Sequence, residues 1–359
     1  MRVVDADAHV IEGRELIAEL MERFPDKIRF SDPGDGETAL YIEGRPYPQS
    51  KGPGAGCRAE EGMCLDRGAN PFTPEGVLAD ADKDGIDRLV FFPSAALGLP
   101  GFVDNKFAAE FARAYNRWMA GYCKQGRGRF FGAALVPIED VPASIEIMKE
   151  AKDLGLVVTM IPAVLRNRNL DHPDLDAFYS AAEELDMPLG IHGAPGIHLP
   201  KLGTERFDNY LKVHVISFPF DMMVASTALI LGGVFERHPH LRVALLESGV
   251  GWVPYFMERM EEHLEKRGRL TPECKHEPKE YIARGQLYVS CEAGECAIPL
   301  AVEQLGPDFI LYASDYPHWD SEWPESTRPL RERQDLSEST KEKIFGLNAE
   351  RFYRLPASA

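Results

Sequence analysis

Residues 3–12 read Val3-Val4-Asp5-Ala6-Asp7-Ala8-His9-Val10-Ile11-Glu12, a β-prone run with an acidic residue or histidine at alternate positions. In a strand, residues two apart face the same side, so Asp5, Asp7 and His9 line one face. Three ionisable groups on one face of a buried strand are costly unless they bind something. Asp7 and His9 fall at the strand's C-terminal end, and a carboxylate oxygen and an imidazole nitrogen at that spacing can share one divalent cation. The same residues also suit a hydrogen-bonded acidic pair beside a packed histidine.

Seven more strand-sized runs follow: Arg88–Ser94, Phe130–Pro137, Val157–Ala163, Pro188–Gly193, Arg242–Ser248, Gln286–Cys291 and Phe309–Ser314. Most are too continuously apolar for one-sided burial, as expected of parallel strands covered on both faces. Amphipathic helical patterns separate them at Lys106–Lys124, Ala143–Leu154, Leu175–Leu185, Met222–Arg237, Val253–Arg267 and Glu295–Leu305. Asp174 is placed to cap one helix start, and Gly155 and Gly306 follow helix ends. Eight strands alternating with helices predict an α/β protein, a (β/α)8 TIM barrel forming a single domain over residues 1–359. A long insertion after strand 1, residues 25–74, is rich in Gly, Pro and charge and is expected over the strand C-terminal face; Ile197–Leu211 is the other surplus. A doubly wound sheet is disfavoured, because no glycine-rich phosphate loop follows the first strand.

Three further strand ends extend the first motif. The fifth strand closes on His192 beside Gly193, the eighth on Asp315 within Ser314-Asp315-Tyr316-Pro317-His318, and the sixth on Glu247 within Leu246-Glu247-Ser248-Gly249. Asp7, His9, His192 and Asp315 would converge above a barrel, where active sites of this fold lie. Four such residues together favour a metal centre over coincidence.

Lys+Arg at 40 against Asp+Glu at 57 gives a net charge of −17. So acidic a surface repels phosphate backbones and anionic lipid, excluding nucleic acid and membrane as expected partners. The apolar stretches read as strand-sized, with no membrane span, no secretory leader and no CxxC among six cysteines. A reduced, cytoplasmic protein is expected.

These motifs resemble the amidohydrolase superfamily, in the branch of aminocarboxymuconate-semialdehyde and γ-resorcylate decarboxylases. The resemblance runs from Asp5-Ala6-Asp7-Ala8-His9 through the Pro219-Phe220-Asp221-Met222-Met223 helix start and Gly232–Pro239 to Ser314–His318. It implies Asp7 and His9 as first-strand ligands, His192 and Asp315 as the others, and one divalent ion. Zinc is expected, and the donor set also suits manganese or iron. It implies a small-molecule carboxylic acid substrate, and a homodimer with Met222–Arg237 and Val253–Arg267 as interface helices. The departure is Glu247, where decarboxylating relatives carry a histidine. An ionised carboxylate accepts but cannot donate, so Glu247 is either a general base or a residue that orients a ligand.

Two activities follow. One is a metal-dependent, non-oxidative decarboxylase of an aromatic or unsaturated carboxylic acid, with Asp315 as proton donor. The other is a hydrolase of an amide, lactone or activated C–C bond, with Asp315 or Glu247 taking a proton from water. A barrel that only binds is a third reading, disfavoured because every expected ligand position carries a ligating side chain. His214, His318 and Trp252 are candidate substrate-binding residues, each with a packing role as the alternative. The resemblance adds Arg58, in the insertion, as a carboxylate-binding arginine.

Overall fold

The computed structural model describes residues 1–31, 39–57 and 62–356. Its first strand, β1 (Val4–Val10), is fully buried, as its alternating alanines and valines allow. The insertion contributes β2 (Ile28–Ser31), β3 (Ala39–Ile42) and β4 (Arg45–Tyr47). The remaining strands are β5 (Arg88–Pro93), β6 (Phe130–Leu135), β7 (Val158–Ile161), β8 (Leu189–Ile191), β9 (Val243–Leu245), β10 (Leu287–Cys291) and β11 (Ile310–Tyr312). They form one parallel sheet in the order β1-β5-β6-β7-β8-β9-β10-β11.

The two edge strands are tied end to end. Asp315 N–H donates to Asp7 O at 3.2 Å and His9 N–H to Tyr316 O at 2.7 Å. With helices between the strands, this is the expected (β/α)8 barrel, and strands buried on both faces explain the continuous apolar runs. All eight strand positions match the sequence reading to within a few residues.

Helix starts follow local chemistry. Asp104 and Asp140 accept N–H bonds from Phe107 and Ala143, each at 3.1 Å, opening helices Asn105–Lys124 and Val141–Asp153. Such caps satisfy amides that have no partner inside the helix. Three expectations need correcting. Asp174 caps nothing; it donates its N–H to the His172 ring at 3.3 Å. The helix expected at Glu295 begins at Ile298, because Glu295 instead accepts N–H bonds from Val250 and Glu292.

The third correction is larger. The helix expected from Met222 runs Tyr210–Leu231 with Pro219 inside it, and a separate turn of helix covers Val234–Arg237. Its 22 residues have a mean hydropathy of 1.5, enough by length and composition to cross a membrane, against the expectation of strand-sized stretches only. Here it packs on the barrel wall, and its Asp221 pairs with Lys201 at 2.5 Å in the interior. The two apolar periodicities merge across Pro219, which reads as a helix start because proline is tolerated best there.

Within the insertion, β2, β3 and β4 form a small antiparallel sheet, a unit the sequence reading did not anticipate. It is pinned over the barrel mouth. Arg45 Nη2 donates to Gly101 O at 2.7 Å, His198 Nε2 to Pro46 O at 2.8 Å, and Glu43 accepts N–H bonds from Val103 and Asp104 at 2.7 Å.

Candidate metal centre

β1 delivers three side chains inward, and the structure separates their roles. Asp5 is consumed structurally: it accepts from Ser314 N–H at 3.1 Å, from Asp7 N–H at 3.2 Å and from the Ser314 hydroxyl. A register shift between Asp5 and Ala8 then sets Asp7 and His9 at the strand end. Asp7 is 1% exposed, and its Oδ1 lies 3.7 Å from both His9 Nε2 and His192 Nε2.

Both histidines are fixed in one tautomer. His9 Nδ1 lies 2.7 Å from Pro93 O, and His192 Nδ1 lies 2.7 Å from Gly193 O. A carbonyl only accepts, so each Nδ1 carries the hydrogen and each Nε2 presents a lone pair. Among the described residues neither Nε2 has a hydrogen-bond partner, nor do Asp7 Oδ1 and Asp315 Oδ2. Buried polar atoms are rarely left orphaned. Those of Asp7, His9 and His192 lie within 4.8 Å of one another, and Asp315 joins them through its Oδ1, 3.2 Å from His9 Nε2. Burial, then the negative charges of Asp315 and Asp5, push the Asp7 carboxyl well above its usual range. Burial, then the neighbouring His9, holds the His192 ring well below its own. Two imidazole nitrogens and two carboxylates so placed have the donor chemistry of a divalent-cation site.

Asp315 and Glu247 sit in left-handed backbone, at φ 55° and 52°, in the turns that follow β11 and β9. A non-glycine residue there is strained by about 1 kcal/mol, and such strain clusters at functional sites. His318 Nδ1 donates to Asp315 Oδ1 at 2.9 Å, and its Nε2 lies 3.2 Å from Ser94 Oγ. Burial opposes charge on His318, but the adjacent Asp315 outweighs it and raises the ring above its ordinary value. Glu247 reaches His192 Nε2 at 3.2 Å and His214 Nε2 at 3.5 Å.

Above this floor lies a cavity of about 560 Å³, roofed by the insertion through Leu40, Tyr41, Tyr47 and Met63. His214, His318 and Glu247 all line it. Trp252 does not. It packs on Phe256 and directs its N–H to Ser248 Oγ at 3.4 Å, because the turn after β9 points it along the outer helix. Arg58 lies outside the described residues. Asp320, in the loop after β11, had no sequence signal; Glu12, which the sequence offers either as a support to the first strand or as a solvent-facing residue, accepts the N–H groups of Ser94, Ala95 and Ala96. Only the folded loops bring these partners to them.

The family model described as Amidohydrolase matches residues 4–355. The chain belongs to the amidohydrolase family. This amidohydrolase is 26% identical over 290 residues to a 2-amino-3-carboxymuconate-6-semialdehyde decarboxylase of Dictyostelium discoideum, covering 80% of this chain and 78% of that protein. It is equally 26% identical over 290 residues to a gamma-resorcylate decarboxylase of Rhizobium radiobacter, covering 76% and 85%. A solved dihydroxybenzoic acid decarboxylase from Polaromonas sp. JS666, with bound manganese and the inhibitor 2-nitroresorcinol, matches with a TM-score of 0.70 at 19% identity. That match covers 99% of this chain and 98% of the other. The barrel is therefore shared with a metal-bearing relative.

Proposed function

We propose that the protein is a metal-dependent, non-oxidative decarboxylase of an aromatic or unsaturated carboxylic acid. The observation that carries this reading is the cluster of unpartnered ligand atoms of Asp7, His9 and His192, with Asp315 beside His9, beneath a largely apolar cavity. Two neutral imidazole nitrogens and two carboxylates fit a divalent cation in both charge and donor chemistry. When bound, such an ion (zinc in this reading, manganese or iron by the same donor set) supplies the positive charge that holds the substrate carboxylate and a neighbouring oxygen.

The chain's own residues do the rest. Pro93 O and Gly193 O hold the two imidazoles in the ligating tautomer. His318, its ring raised by the adjacent Asp315, holds a proton at the cavity edge, and that proton reaches the substrate carbon by way of the Asp315 carboxylate, leaving His318 neutral. The C–C bond to the carboxylate then breaks and CO2 leaves. Walls such as Leu40, Phe218 and Trp319 strip water from that carboxylate, a cost relieved when it departs as a neutral molecule. His214 and His318 orient the substrate, joined by Arg58 from the insertion.

Hydrolysis is the second reading, favoured by Glu247, a carboxylate at the cavity floor able to take a proton from water. Protein loaded with zinc or manganese and incubated with aromatic carboxylic acids should release CO2, and an Asp7→Ala/His192→Ala variant should release none. Oxygen from labelled water appearing in the product, without CO2, would replace decarboxylation by hydrolysis. We infer a homodimer as well. Leu211, Val215 and Phe220 on one outer helix and Tyr255 on the next are 38–65% exposed, an apolar face that supports pairing. A cytoplasmic setting is supported by six cysteines without a disulfide.

A further inference from the structure

The chamber above the ligands is larger than the reacting part of a substrate requires. Its volume is about 560 Å³. A hydroxybenzoate of one ring fills roughly 150 Å³, the room of about five waters at about 30 Å³ each, so about 400 Å³ lies beyond the ring. Protein interiors pack closely and keep few voids larger than a water, so space of that size beside a reaction centre is space for substrate.

The walls divide the chamber chemically. Glu247, His318 and Asp320 mark its floor, and Ser94 joins them through its contact with His318 at 3.2 Å. Tyr210, His214 and Phe218 stand one turn apart on one face of helix Tyr210–Leu231, and Trp319 closes against the first two. Neighbouring ring centroids in this group are 4.9–6.1 Å apart, an aromatic wall against which a flat ring can stack or stand edge-on.

The roof is different. Ile17 of the first helix (Arg14–Arg23) and Phe30, Ala39, Leu40 and Met63 of the insertion line it with apolar side chains. Phe30 is 50% exposed, a large apolar surface that a bound chain would cover. The Tyr47 hydroxyl is directed to Ile197 O at 3.4 Å. Gln49, Ser50 and Lys51 form a short polar stretch, where Gln49 Nε2 already donates to Lys51 O at 3.0 Å and to Pro53 O at 3.4 Å. Polar groups spent on the protein leave apolar contact as the roof's main means of recognition.

We propose that the substrate is an aromatic carboxylic acid bearing a long apolar chain. Its carboxylate lies at Asp7, His9, His192 and Asp315, its ring against Tyr210, His214, Phe218 and Trp319, and its chain under Ile17, Phe30 and Leu40. This deepens, and rests on, the reading of the centre as a decarboxylase site. A methylene takes up about as much room as a water, so the space beyond the ring holds a chain of roughly ten carbons. Each methylene that leaves water for the roof tightens binding about fourfold.

The test follows CO2 release, and binding by calorimetry, for the Mn2+-loaded full chain with 4-n-alkyl and 6-n-alkyl-2-hydroxybenzoic acids, methyl to nonyl. In at least one series kcat/KM for CO2 release should rise about fourfold per methylene. Ala39→Trp, which fills the roof, and Leu40→Ser, which makes it polar, should each flatten the rise, with folding checked by circular dichroism. CO2 release that does not grow with the chain overturns the proposal and leaves the decarboxylase standing. A gain undiminished in both variants overturns it too. Binding that tightens with the chain, without CO2, keeps the chain site and sinks decarboxylation. Neither binding nor CO2 with any acid sinks both.

Discussion

Replacing Asp7 by asparagine should make the stripped protein more stable and the metal-loaded protein no better off. Asp7 is buried, and among the described residues no cationic side chain or hydrogen bond satisfies its Oδ1. An uncompensated buried carboxylate costs about 3 kcal/mol, which the isosteric amide removes. Unfolding entropy near 2.1 cal/mol/K per residue over 359 residues converts that into about 4 °C of melting temperature. Metal at 100 times its Kd stabilises wild type by about 2.7 kcal/mol, again about 4 °C, and at 1,000 times by about 4.1 kcal/mol. The two melting curves should therefore meet near a hundredfold excess and cross above it. The sign follows from the raised carboxyl: its folded pKa lies above the unfolded one, so the penalty is absent below about pH 4 and grows as pH rises. Scanning calorimetry of both proteins, with chelator and then across a Mn2+ or Zn2+ series at pH 7, reads every part of this. A stripped variant less stable than stripped wild type, or one that keeps the full metal shift, would refute the reasoning.

Three other outcomes are expected. Burial holds the His214 ring down at about pKa 4, so this ring by itself takes about 3 kcal/mol from stripped wild type as pH falls from about 6.5 towards 4, a limb opposite in sign to that of Asp7 and read by difference from a variant lacking the ring. His214→Phe should flatten that limb in urea unfolding. Asn116 is 2% exposed and exchanges two bonds with the end of β6, to Leu135 O at 3.0 Å and from Leu135 N–H at 2.8 Å. Asn116→Ala should cost about 3 kcal/mol by denaturant titration, because two buried backbone groups lose partners. Trp252→Phe should change kcat/KM less than twofold while costing about 1 kcal/mol of stability; a large loss of turnover would return Trp252 to the site.

The barrel was legible because each strand is a short β-rich run whose ends carry residues that a buried strand tolerates only with a purpose. Asp7, His9, His192 and Asp315 could be picked out singly, since each breaks an apolar pattern at a strand end. What could not be read depends on loops folding back. Asp320 looks like an ordinary acidic residue until the chain brings His214 against it, and Glu12 could be either a support or a solvent-facing residue until the amides of Ser94–Ala96 meet it. Trp252 misled because a glycine-flanked turn gives no direction to the side chain that follows it. The strands β2–β4 are three or four residues each, too short for alternation to stand out in a glycine- and proline-rich segment.

The small sheet pinned over the barrel mouth has an evolutionary consequence. The proposed ligands are scattered along the chain from residue 7 to residue 315, so no single recombination event can exchange the chemistry they would carry. Much of the chamber's roof, by contrast, comes from one contiguous segment held by a few hydrogen bonds to Gly101, His198 and the amides of Val103 and Asp104. A lineage can thus trade substrate range as one cassette of gene while inheriting its reaction unchanged.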